Sequence, residues 1–499
     1  MQLETIIGLE IHIQMKTKSK MFCGCSNEGE GQEANTTICP ICLGHPGTLP
    51  QPNKTALRMG VMMALALDCR VNAKSIWERK NYFYPDLPKG YQISQYAVPL
   101  AANGHSIIEL KGQKKRISIE RLHLEEDAAK SFHINEATLV DYNRSGTPLM
   151  EIVTKPDFRL PQEAKQFLQD LRLVARYLQV SDADMEKGHL RCDANISLRP
   201  VGDGKLYPKT EIKNLNSFRS VERALEHEVK RQTELWNLGT PPAASATRGW
   251  DEDNLITFEQ RDKEESADYR YFPEPDLPPL EFTEEQIQAI KTQLPELPQD
   301  KKTRLIKEYQ VSSIDARVLI EDEEVAGYFE NIMSEARSWL ESLAESIGTS
   351  DEVWELNKQR LTKLVTGWLL SGLFKLMNQS GLSIGEVKIT AENFAEFIAI
   401  VYQRKINSSL AQTLLQEMFL TGGDPSQIMA EKDLGQLGDV GQLAEVINKI
   451  IKNNPDQVNE YRAGKTTLIK YFIGLAMKET KGKADPQKLE EIFKDKLAD

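Results

Sequence analysis

The feature that most constrains this chain is a strict alternation at residues 5–15, TIIGLEIHIQM. Read at a period of two, Leu9, Ile11, Ile13 and Met15 fall on one face and Gly8, Glu10, His12 and Gln14 on the other, the pattern of a β-strand with one side in a core. Glu10 and His12 stand two apart on a rigid element, so they present an oxygen and a nitrogen to one metal ion or else form part of an ordinary solvated face. A single strand leaves both readings open.

Three more stretches repeat the pattern. In RLHLEED at 121–127, Leu122 and Leu124 point to a core while Arg121, His123, Glu125 and Asp127 share the other face. The successive acids Glu125, Glu126 and Asp127 repel one another unless a cation or a solvated turn relieves them. In GHLRCDANISLR at 188–199, the polar face carries His189, Arg191, Asp193, Asn195, Ser197 and Arg199, residue types that bind metal and phosphate. Thr210-Glu211-Ile212-Lys213 sets a carboxylate beside a lysine and runs into Asn214-Leu215-Asn216-Ser217, an N-cap for a helix that Gly239 ends. Between these, residues 149–153 read as a short apolar run and a helix opens near Pro161. RKNYFYPDLPKGY at 79–91 reads as an ordered loop, either a cleft wall or a packed lid, with Gly90 free to take positive φ.

Four of the six cysteines crowd near the N-terminus, as Cys23-x-Cys25 and Cys39-x-x-Cys42 on either side of a polar loop. Two close pairs can close a tetrahedral thiolate site, so zinc is expected there, with His45 as a substitute ligand. All-cysteine coordination leaves no open position, and such a zinc staples a loop and does not catalyse.

At 499 residues the chain is too long for one core. The proline-dense DYRYFPEPDLPP at 268–279 ends the strand-rich region, Thr283-x-x-Gln286 opens a capping box, and helical patterning follows at 305–309, 325–343, 356–377, 394–402, 410–419 and 443–451. Strands first and helices afterwards indicate an α+β chain with separate domains, placed at 1–292 (with the cysteine loop at 23–42), 293–407 and 408–499. The net charge of −12 argues against nucleic acid binding by the whole surface, and the sequence has no bilayer-length apolar run and no signal-type leader, so a cytoplasmic protein is expected. The last segment is locally basic: Lys465, Lys470, Lys478, Lys481 and Lys483, with Arg462 and Lys488, face only Glu479 and Asp485, which is either a phosphate-backbone surface or a solvated helix face. Gly464-Lys465-Thr466 is not a phosphate-binding loop, because position 459, where the first glycine belongs, is Asn.

Taken together, GLEIH at 8–12, RKNYFYPDLPKGYQISQ at 79–95, HLEEDAAK at 123–130, DYNRSGTP at 141–148, LRCDANISLRP at 190–200, EIKNLNSF at 211–218 and DYRYFPEPDL at 268–277 closely resemble the B subunits of the tRNA-dependent aspartyl/glutamyl amidotransferases. The resemblance covers nearly the whole chain. It implies an N-terminal antiparallel-sheet cradle similar to glutamine synthetase, a helical domain, and a small helical tail that contacts tRNA through the lysines named above. It implies an ATP-dependent step on the side-chain carboxylate of Glu-tRNA(Gln) or Asp-tRNA(Asn). Amide formation follows, with ammonia from a partner amidase (glutaminase) chain, and a small third chain completes the enzyme. On that reading Glu10, His12, Glu125 and Glu211 are candidate Mg²⁺ ligands, with Asp193 and Glu126 behind them, and Lys80, Arg191, Asn195 and Lys213 are candidates for holding ATP. No glycine-flanked nucleophile elbow is present, so the ammonia must come from a partner. A zinc-stapled tRNA adaptor without chemistry of its own and a ligase of free amino acids are the alternative readings.

Overall fold

A computed structural model describes residues 2–260, 269–343, 349–434, 440–480 and 483–498. Lys481 and the leading Asp268 of the DYRYFPEPDL stretch lie outside the described residues. The chain forms two compact units, Met1–Pro298 and Gln299–Asp499.

The first unit is built on one nine-stranded sheet. Its strands are β1 (Leu3–Gln14), β2 (Arg70–Val71), β3 (Ala101–Leu110), β4 (Gln113–Glu126), β5 (Pro148–Thr154), β6 (Leu190–Pro200), β7 (Thr210–Leu215), β8 (Ala246–Asp251) and β9 (Ile256–Glu259), in the order β9-β8-β7-β6-β1-β5-β4-β3-β2. The four alternating stretches of the sequence are therefore β1, β4, β6 and β7, and the chain's first strand lies between β6 and β5, antiparallel to both. The expectation of an antiparallel sheet needs one correction. β7 and β8 pair in parallel, because the chain leaves β7 through a long crossover helix and not a hairpin, so the sheet is mixed.

Three helices join this sheet in one core: α1 (Lys54–Ala66), α2 (Pro161–Tyr177) and α3 (Phe218–Asn237). Ile7, Leu9, Ile11 and Ile13 of β1 cluster with Phe167, Leu168 and Leu171 of α2 and with Val221 and Leu225 of α3. Pro161 stands at the first helical position of α2, and Ser217 caps α3 by accepting from the Ser220 N–H. Gly239, at φ +75, follows the end of α3. Glu228 of α3 is fully buried, accepts two bonds of 2.8 Å from Arg231 and one of 2.6 Å from Thr257, and lies 3.3 Å from Arg248. That network pins β8 and β9 to the helix.

The segment read as an ordered loop at 79–91 is partly strand. Glu78–Asn81 and Tyr91–Ser94 pair with each other, and Glu78–Asn81 also pairs with Phe272–Pro273. Arg79 closes this small sheet with two bonds to Glu274, 2.7 and 2.8 Å, its guanidinium 4.2 Å from the Tyr91 ring centre. Such a link across nearly two hundred residues is invisible to local patterning.

The second unit is helical in its described residues. The helix expected over 356–377 is interrupted: Ser350–Gly367 passes through a π-helical stretch, Trp368–Leu373, before Phe374–Ser380. A Cβ on Gly372 would come 2.9 Å from Leu415, so glycine there permits the close approach of the helix Ser408–Thr421. Leu443, Ile447, Phe472, Leu489 and Phe493 form a buried cluster within the last helices. None of the described helices is long and apolar enough to cross a membrane.

Ile11 is fully buried and its neighbours Glu10 and His12 face the other way, so Ile11→Ala tests the core without removing a polar group. Chemical denaturation is expected to show a loss of about 2–5 kcal/mol.

Candidate active site and cysteine centre

The register of the sheet converts the sequence alternation into rows of side chains. One row crosses four strands as Arg191 (β6), His12 (β1), Glu151 (β5) and His123 (β4). The next runs Asp193, Glu10, Val153 and Arg121. Because facing residues in neighbouring strands point to the same side, both rows stand on the face opposite Ile11 and Leu9.

At the centre, two imidazoles and two carboxylates form a square. The His12 Nε2 lies 3.3 Å from Glu151 and 3.6 Å from Glu125, and the His123 Nε2 lies 3.2 Å from Glu151 and 3.7 Å from Glu125. Glu125 also accepts from the Ser94 hydroxyl at 3.0 Å. Two groups of candidate metal-binding residues share Glu151, one with Glu10 and His12, the other with His123 and Glu125. The mixed carboxylate and imidazole donor set can hold a divalent cation. Burial and the neighbouring Glu151 raise the Glu10 carboxyl against the opposing pull of His12 and Lys80, and the buried Nδ1 of His123 has no hydrogen-bond partner.

Cations rim this wall. Lys80, on the strand Glu78–Asn81, keeps its charge more firmly than usual: burial opposes it, but Glu125, Tyr271 and Glu151 outweigh burial. Its Nζ lies 4.9 Å from the Tyr269 ring centre, and burial pushes the Tyr271 phenol up to about 12. Arg191 donates to Asp127 at 2.8 Å while its buried Nε has no partner. Lys213 donates to Asp193 at 2.8 Å and lies 3.3 Å from Glu211. A cavity of about 400 Å³ opens here, lined by His12, Lys80, Glu125, Arg191, Asp193 and Lys213. It shares Arg191, Leu215 and Asn216 with a neighbouring cavity of about 850 Å³.

The sequence candidates thus separate. Glu10, His12 and Glu125 meet at the centre, with Lys80 and Arg191 on the rim. Asp193 and Glu211 belong to neither metal-binding group among the described residues; Lys213 neutralises the first, and Thr247 and Lys213 engage the second. Asn195 stands opposite Glu211 and Gly8, its buried Oδ1 without a partner. Glu126 turns to the other face, accepts from the Ile93 N–H at 3.0 Å and is bonded by Lys89. Sequence reasoning missed Glu151 altogether and gave His123 no ligand role. The signal for Glu151 was a lone acid inside the apolar run LMEIV, where a charge is costly without partners.

The four cysteines come together as well: the Sγ atoms of Cys23, Cys25, Cys39 and Cys42 all lie within 4.8 Å of one another. A tetrahedral zinc–thiolate centre places its sulfurs about 3.8 Å apart, and Cys39 and Cys42 are separated by 3.9 Å. The donor set and spacing fit zinc. Shared hydrogen bonding splits the thiols, with Cys42 pulled down to about 5 chiefly by Cys23 and Cys25 pushed up to about 11 chiefly by burial. His45 is not part of this group among the described residues. In the second unit, Lys465 pairs with Glu460 and Lys483 with Asp433, whereas Lys470 and Lys478 are exposed on the helix Ile469–Glu479.

Burial would lower the His123 pKa, but Glu151 and Glu125 outweigh it and hold it at about 9. Against an ordinary value of about 6.5, the stability from this charge is complete below that pH and is lost as pH rises through about 9. NMR titration of the metal-free protein is expected to show His123 protonated at neutral pH, with Glu151→Gln lowering its midpoint. A midpoint near the ordinary value in the unaltered chain would contradict this arrangement.

Comparison with known proteins identifies the family. Residues 5–288 match the family described as GatB/GatE catalytic domain, and residues 351–497 match the GatB domain. The aspartyl/glutamyl-tRNA(Asn/Gln) amidotransferase subunits B of Persephonella marina and Caldanaerobacter subterraneus are each 44% identical to this chain over the whole of both chains. That of Clostridium botulinum is 43% identical, over 98% of this chain and 97% of its own. An acid–imidazole wall rimmed by Lys80 and Arg191 therefore sits inside the matched catalytic region, and the chain belongs to the family of B subunits of the aspartyl/glutamyl-tRNA(Asn/Gln) amidotransferase.

Proposed function

We propose that the polar face of the sheet activates the side-chain carboxylate of Glu on tRNA(Gln), or of Asp on tRNA(Asn), with ATP and then converts it to the amide. The observation that carries this reading is the pair of acid–imidazole groups sharing Glu151 beside Lys80 and Arg191. A carboxylate is a poor acyl donor. Transfer of the γ-phosphoryl group to its oxygen releases ADP and makes an acyl phosphate; the nitrogen of ammonia then bonds to the acyl carbon, phosphate departs with that oxygen, and the nitrogen loses a proton. A Mg²⁺ ion would be held by Glu151 with Glu10 and His12, or by Glu151 with Glu125 and a His123 that gives up its proton on binding, and would supply charge that neutralises phosphate oxygens.

The chain's own groups do the positioning. Lys80 and Arg191 reach phosphate oxygens from the rim, and Asp127 orients Arg191. Asn195 and Lys213 extend the polar surface toward β7, where the nucleotide's remaining polar groups bind. The two joined cavities accommodate two reactants, the phosphoryl donor and the aminoacyl end.

Ammonia comes from a partner amidase (glutaminase) chain, with a small third chain in the same assembly. The N-terminal cradle is read as similar to glutamine synthetase, and residues 293–407 and 408–499 as a helical domain and a tRNA-binding tail, in a cytoplasmic enzyme. Zinc in the four-cysteine centre is structural. Lys470 and Lys478, with Lys465, Lys481 and Lys483, are the phosphate-backbone contacts of the tail.

Glu151→Gln, assayed in the assembled enzyme, is expected to lower ATP-dependent amide formation on the order of 10²-fold while assembly and tRNA binding persist. Unchanged turnover would overturn the assignment. Deleting residues after 461 is expected to raise KM for tRNA and to make its salt dependence shallower, with KM for ATP unmoved. Identical tRNA kinetics would remove the tail from the reading.

A further inference from the structure

Lys20 is one of the largest fully buried side chains in the protein. Its Nζ lies 3.8 Å from the Cys42 Sγ and 3.4 Å from the Tyr142 carbonyl oxygen, and no carboxylate among the described residues forms an ion pair with it. Gly146, at φ +85, packs against both the Lys20 stem and Cys42: a Cβ there would come 3.5 Å from each. An ammonium withdrawn from water is costly unless an opposite charge compensates it, and one carbonyl oxygen does not. Around a divalent ion, four thiolates leave a double negative charge, and Cys42, the one buried cysteine of the four, is the one that faces Lys20.

We infer that Lys20 is the counter-ion of the four-cysteine zinc centre, and that through it the loaded centre holds the turn that positions Arg191. The inference rests on the reading of the cysteine cluster as a zinc site. The ammonium donates toward a metal-bound sulfur and removes half of the centre's net charge, while the centre supplies the negative charge that a buried lysine requires.

The connection onward is continuous. The Ser145 hydroxyl donates to the Cys42 carbonyl at 3.3 Å, and the Met21 N–H donates to the Gly146 carbonyl at 2.7 Å. The same turn holds the strand end that carries Asp127: the Gly146 N–H donates to the Asp127 carbonyl at 2.9 Å, and the Asp127 N–H donates to the Thr147 carbonyl at 2.8 Å. Arg144 donates to the carbonyls of Ala128 and Ala129 at 2.9 and 2.7 Å. Asp127 in turn accepts from Gln14 and Arg191. Lys20 is thus a positioning residue, two links removed from the reaction cavity.

The test measures zinc transfer from the full-length chain in its assembled enzyme to a colorimetric chelator, together with the thiolate charge-transfer bands of the Co²⁺-substituted protein. Lys20→Met is expected to release zinc about 10-fold faster and to shift those bands. Lys20→Arg, which keeps the charge, is expected to restore slow release, and Lys18→Met, an exposed neighbour, to match the unaltered chain. KM for ATP should rise with zinc loss more than kcat falls. Should Lys20→Met fail to fold, Lys20→Gln, which keeps a donor but not the charge, decides the matter by the same release rate. Zinc held equally tightly by Lys20→Met or Lys20→Gln would overturn the inference. Pure unaltered protein without zinc would instead overturn the zinc reading beneath it.

Discussion

The crowding of like charges on one buried wall is the constraint around which the N-terminal unit is arranged. Glu10, Glu125 and Glu151 stand close enough to repel strongly in a poorly solvated site, and each is held in a different way. Against burial, His123 and then Lys80 and His12 lower the Glu125 carboxyl, and His123 and His12 lower that of Glu151. Glu10 is less well compensated and is raised by burial and by Glu151. The small sheet carrying Lys80, the salt bridge that closes it and the aromatic residues above it all serve to bring cationic charge to this wall. The charge left uncompensated at Glu10 is what the proposed cation would offset.

How much of this was legible in the sequence depended on the range of the information. Period-two alternation put Glu10, His12, Glu125, Arg191 and Asp193 on polar strand faces, and capping chemistry marked the starts of α2 and α3, because both signals act within a few residues. Which strands lie side by side is a long-range matter. The row Arg191–His12–Glu151–His123 draws on four strands that are far apart in the chain, and nothing local in LMEIV says that its one acid meets two imidazoles. The parallel pairing of β7 with β8 escaped for the same reason, and the strand Glu78–Asn81 was hidden by the prolines and aromatics that follow it.

The cysteine loop shows the converse. Its four sulfurs were plain from spacing, whereas the buried cation beside Cys42, Lys20, sits in a run of lysines that looks like any solvated stretch, KTKSK. Only burial separates Lys20 from the exposed Lys16 and Lys18. A charge pattern in sequence reports composition; which of several equivalent cations is withdrawn from water is decided by packing.

β1 holds the centre of the nine-stranded sheet. The strand is bonded along both edges, in register with β6 from Leu3 to Ile13 and with β5 from Glu10 to Gln14. Losing or gaining one residue ahead of Glu10 would send Glu10 and His12 toward the core and Ile11 and Ile13 toward the cavity. The register of β1 therefore sets which face Glu10 and His12 occupy, and a change of length there keeps it only where a bulge absorbs the extra residue.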